Sequence, residues 1–72
     1  MQRNVKNRFG QLLGWTKENQ GTEYAYDRHG RLLGWYNNRT DQTHDSKGRL
    51  LTTSGNVAAG LIFRRDGGDE DE

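Results

Sequence analysis

Asp27-Arg28-His29-Gly30-Arg31-Leu32-Leu33-Gly34-Trp35 decides the fold, because the chain writes it three times. Upstream stands Asn7-Arg8-Phe9-Gly10-Gln11-Leu12-Leu13-Gly14-Trp15. Downstream stands Asp45-Ser46-Lys47-Gly48-Arg49-Leu50-Leu51-Thr52-Thr53. The copies start 20 and 18 residues apart. Asp66-Gly67-Gly68 reads as a degenerate fourth start. A period near twenty residues marks a repeat architecture in which each unit is one supersecondary element.

Each unit opens with turn chemistry. Asn7, Asp27 and Asp45 can accept hydrogen bonds from backbone N–H groups two residues on. Gly10, Gly30 and Gly48 suit the left-handed conformation that ends such a turn in a hairpin with a bulge. Glycine recurs too often for a long helix, at about 1 kcal/mol each. The flanks read as strands. In Thr22-Glu23-Tyr24-Ala25-Tyr26 the period of two puts Tyr24 and Tyr26 on one face. By the same alternation Leu33 shares a face with Trp35, and Leu32 with Gly34 and Tyr36. Leu13 and Trp15 oppose Leu12 and Gly14 in the same way. Glu18-Asn19-Gln20-Gly21 and Asn37-Asn38-Arg39 link the units as further hairpin turns. The expected fold is all-β: three hairpin units in a meander of six or seven short strands.

The expected organisation is a lead-in at 1–4, one domain at 5–63 and an acidic tail at 64–72. Gly14 and Gly34 interrupt strands, which suggests that a neighbouring aromatic lies across each. Val57–Arg65 reads as a strand, and Leu61–Asp66 aligns with the incoming strand Thr22–Asp27. A short helix behind Asn56, grouping Val57 with Leu61 and Ala58 with Ile62, is the alternative reading.

Composition narrows the function. With no cysteine there are no disulfides, thiolate metal sites or thiol nucleophiles. No apolar run reaches the ~18 residues of a membrane span, and no signal-peptide core is visible. The cytoplasm is therefore the expected compartment, with export by another route left open. His29 and His44 have no third ligand at metal spacing. Ser46 and Ser54 have no His/Asp constellation, and Asp41 with Asp45 shows nothing that marks general acid–base work. No phosphate loop or dinucleotide fingerprint is present. The expectation is no catalytic residue, no cofactor, no metal and no membrane partner.

Charge is divided along the chain. Residues 1–65 hold eleven cations against five carboxylates, a balance of +6, while 66–72 hold five carboxylates and no cation. Arg8, Arg28, Arg31, Arg39, Lys47 and Arg49 form the candidate basic surface, with Arg3 and Lys6 nearby. Trp15, Tyr24, Tyr26, Trp35 and Tyr36 form the candidate interface or ligand platform. A chain this short of apolar side chains is expected to recruit core by self-association. The leading functional expectation is a non-catalytic, self-associating protein-interaction or structural module that docks through the aromatics and the Leu pairs. A basic aromatic sheet that binds single-stranded nucleic acid is the second reading.

Tyr26-Asp27-Arg28-His29-Gly30-Arg31-Leu32-Leu33-Gly34-Trp35-Tyr36 resembles the fourfold beta-flower domains, small bacterial and phage-associated modules of repeated Asp-x-x-Gly-x-Leu hairpins. The run from Thr43 through Gly48-Arg49-Leu50-Leu51 to Asn56 does too, and the likeness covers most of 5–63. It implies a compact pseudo-symmetric all-β fold and carries over no catalytic residues. Gly14-Trp15, Tyr24-Ala25-Tyr26 and Gly34-Trp35 also resemble the choline- and glucan-binding cell-wall repeats. That likeness implies that Trp15, Tyr24, Tyr26, Trp35 and Tyr36 cage choline or platform a sugar.

Overall fold

The computed structural model describes residues 1–53 and 55–63. Six strands form one antiparallel sheet: β1 (Gln2–Lys6), β2 (Leu12–Asn19), β3 (Thr22–Asp27), β4 (Leu32–Asn37), β5 (Gln42–Asp45) and β6 (Leu50–Thr52). Their order in the sheet is their order in the chain, and the sheet stays open, with β1 and β6 as its edges. One helix, α1 (Ala58–Ile62), lies against β2, β3 and β4. The protein is all-β, as the repeat predicts. The first strand begins at Gln2, so the sheet takes in residues read as lead-in. The degenerate start at Asp66 and the acidic tail lie outside the described residues.

The three repeat turns share one geometry. Asn7 Oδ1 accepts from the N–H of Phe9 and of Gln11 at 2.9 and 3.0 Å. Asp27 Oδ1 accepts from His29 and Arg31 at 2.8 and 2.9 Å. Asp45 Oδ1 accepts from Lys47 and Arg49, both at 2.9 Å. The glycines that follow have φ of +82°, +86° and +84°, the region that glycine enters without a Cβ penalty.

A bulge recurs at the same place in every unit. Lys6 pairs with Leu12 but Val5 with Gly14; Tyr26 with Leu32 but Ala25 with Gly34; His44 with Leu50 but Thr43 with Thr52. The second leucine of each Leu-Leu pair is thus the extra residue. This corrects the simple alternation. Leu13 and Leu33 leave the faces of Trp15 and Trp35 and pack into the core with Val5, Ala25, Ala58 and Ile62. Leu12, Leu32 and Leu50 take the side of Trp15 and Trp35 instead, 37–48% exposed.

The stretch expected as a strand at 57–65 is helical over Ala58–Ile62. Asn56 Oδ1 accepts from the Ala58 N–H at 2.9 Å, satisfying one of the first free donors of the helix. Ala58, Leu61 and Ile62 are buried, and their burial on the sheet outweighs the cost of Gly60. The helix also explains the strand glycines, where the expected aromatic neighbour is absent. A Cβ on Gly14 would meet the Tyr26 carbonyl and stand 2.9 Å from Ile62 Cγ2. A Cβ on Gly34 would meet the His44 carbonyl and Leu61 Cδ1. Glycine lets the neighbouring strand and the helix close onto these points at once.

Candidate functional site

Register and bulges sort the side chains onto two unlike faces. The helix-covered face holds Val5, Gly14, Thr16, Ala25, Gly34 and Thr43. On the opposite face cross-strand pairing lines up Asn4, Trp15, Tyr26 and Leu32 in one row. The next row runs Gln2, Lys17, Tyr24, Trp35, His44 and Leu50. Trp15 stacks with Tyr26 at 5.9 Å between ring centroids, and Trp35 with His44 at 5.6 Å. Trp15 also reaches the repeat turn, since a Cβ on Gly30 would stand 3.8 Å from its ring. These aromatics are half-buried, and α1 packs on the opposite face, against Gly14 and Gly34.

Four of the five platform residues, Trp15, Tyr24, Tyr26 and Trp35, come together here. Tyr36 does not. It packs against the core beneath the helix and donates its hydroxyl to Asp41 Oδ1 at 2.7 Å. That bond raises the Tyr36 pKa and lowers that of Asp41. Tyr36 lines a polar hollow on the helix side with Arg3, Glu18 and Glu23. His44 joins the aromatic row unforeseen. Its signal was its place opposite Trp35 once the β4–β5 hairpin is registered. Among the described residues its buried Nδ1 has no hydrogen-bond partner, and the ring is held by its stack on Trp35.

The carboxylates of the sheet all belong to the helix side. Glu18 and Glu23 face each other across β2 and β3, and Glu23 Oε1 accepts from Asn56. Asp27 and Asp45 stand opposite Gly14 and Gly34. No strand position on the aromatic face is acidic, while Lys6 and Lys17 lie on it. This separation follows from the period of two and could be read only once the bulges fixed the phase.

The repeat turns β1–β2, β3–β4 and β5–β6 all emerge at one end of the sheet, so Arg8, Arg28, Arg31, Lys47 and Arg49 gather there beside Lys6. Arg39, grouped with them on sequence, sits at the other end in the β4–β5 link. Arg8 lies over the Phe9 ring at 5.1 Å and Arg49 pairs with Asp45 at 2.9 Å. The acids at this end are committed to the turns. Burial pushes the Asp27 carboxyl up, but the Arg31 and His29 N–H groups outweigh it and hold the pKa below the ordinary value. The Arg49 N–H is the main cause of the same lowering at Asp45.

Among the described residues no group of three or more His, Asp or Glu is placed to hold a metal, and no helix is long and apolar enough to cross a membrane. Neither a family model, nor a curated protein, nor a solved structure matches this chain.

Proposed function

We propose that this chain is a non-catalytic binding module and that the aromatic face of the sheet is its working surface. One observation carries the reading. Both tryptophans and two of the three tyrosines stand on the face that α1 leaves open, while the core beneath α1 is built from small and aliphatic residues. A chain with little apolar material gains most by burying its largest side chains, and this one leaves these four rings only half-buried. A contiguous row of half-buried rings, continued by the exposed Leu32 and Leu50, supports an interaction site there. Aromatics flanked by lysine, with no acid among them, oppose a quaternary ammonium ligand and so disfavour the choline-cage reading.

Unfolding of two single variants tests it. Leu13→Ala removes a core side chain and is expected to cost about 2–5 kcal/mol. Trp35→Ala, on a working surface, is expected to cost less than half of that. If Trp35→Ala costs as much as Leu13→Ala in denaturant titration, the aromatics are core and the reading fails.

A further inference from the structure

We infer that the aromatic face binds single-stranded nucleic acid, its bases on the Trp15–Tyr26 and Trp35–His44 rows and its phosphates toward the cationic turn end. The inference rests on the binding-face reading above and names the occupant of that face.

Charge complementarity selects it. The face carries Lys6 and Lys17 and no carboxylate at any strand position. One end is rimmed by the repeat turns, spaced two strands or about 10 Å apart. Each turn brings two cations, counting Lys6 with Arg8, Arg28 with Arg31 and Lys47 with Arg49. Of these six, only Arg49 forms an ion pair with a described residue. Asp27 and Asp45, the acids nearest the rim, are occupied by turn N–H groups. Trp15 joins the two features, because its ring spans from Tyr26 to the turn at Gly30. Stacking platforms beside a cationic track suit unpaired bases on a phosphate backbone. A second copy fits less well: face-to-face pairing would enclose Lys6 and Lys17 of both copies with no acid on either face to meet them.

The test titrates the full chain with a fluorescein-labelled oligothymidylate twelve nucleotides long, following anisotropy and tryptophan fluorescence. The expected result is quenched tryptophan emission and an affinity that falls about 50-fold between 50 and 200 mM salt for four phosphate contacts. Trp15→Ala should weaken binding roughly 5- to 150-fold. The double variant Arg28→Ala/Arg31→Ala should weaken it and flatten the salt dependence.

Equal affinity for an abasic twelve-mer, or for a duplex, overturns the inference, since charge alone would then explain binding. So does the absence of binding at 50 mM salt with tryptophans still open to acrylamide, an outcome that leaves the binding-face reading standing. A dimer in light scattering that protects the tryptophans and dissociates on Trp35→Ala assigns the face to a second copy and also overturns it. The binding-face reading itself falls only to the unfolding comparison of Trp35→Ala with Leu13→Ala.

Discussion

Leu61 Cδ1 lies 2.5 Å from the point where a Cβ on Gly34 would stand, so α1 rests directly on the backbone of β4. Strand and helix define each other at this contact. The same holds for Gly14 and Ile62 one repeat earlier. Gly34→Ala should therefore cost several kcal/mol, because the Cβ also meets the His44 carbonyl, which cannot move without breaking the sheet. Gly60, inside the helix, has open space at its Cβ position. Gly60→Ala should raise stability by about 0.5–1 kcal/mol. Urea unfolding of the pair checks both signs.

The turn carboxylates predict an acid-labile fold. Asp27 and Asp45 have folded pKa values below their ordinary ones. Their contribution is complete above the unfolded value near 3.9 and is lost as pH falls through the lower folded values. Asn7 performs the same turn with an uncharged side chain. Asp27→Asn/Asp45→Asn should keep the fold at pH 7 and flatten the fall in melting temperature below about pH 4. An unchanged slope would show that these two groups do not govern acid unfolding.

His44 stores an uncompensated cost. Among the described residues its buried Nδ1 has no partner, and an unmet buried polar atom costs about 1–3 kcal/mol. His44→Phe keeps a ring against Trp35 and removes the polar atom. A melting temperature above that of the parent protein is expected, and a lower one would show that the nitrogen is satisfied in solution.

Gln20 turns the β2–β3 hairpin with φ of +53°, ahead of Gly21 at +85°. Two successive positive φ values favour Asn-Gly over Gln-Gly. Gln20→Asn should stabilise by up to about 1 kcal/mol in thermal unfolding.

The turns were legible because Asx and glycine act locally, and three copies repeat the signal. The faces were not, because the extra residue at Leu13, Leu33 and Leu51 shifts the phase within each unit, and nothing in Leu-Leu says which leucine is bulged. Tyr36 was grouped with the other aromatics by residue type, although strand alternation alone already sets it on the side opposite Trp35. The helix was only the second reading, behind a strand, because five residues with a central glycine carry little periodicity. Asn56 ahead of Ala58 and the pairing of Ala58 with Ile62 pointed to it, but the burial against Gly14 and Gly34 that decides it is a long-range effect. His44 needed the β4–β5 register before its place beside Trp35 could be seen.

The unbroken strand order has a kinetic consequence. Every pairing joins sequence neighbours, so each hairpin can zip on its own in about 1–10 μs without closing a large loop. The helix alone must travel back across three strands to find its seat. During synthesis from the N-terminus, the whole sheet can form before Leu61 and Ile62 arrive. Until then Leu13, Ala25 and Leu33 stay wet, and the nascent meander exposes apolar surface on both sides. Docking of α1 is thus the closing event of folding, and the step that takes one of the two faces out of water.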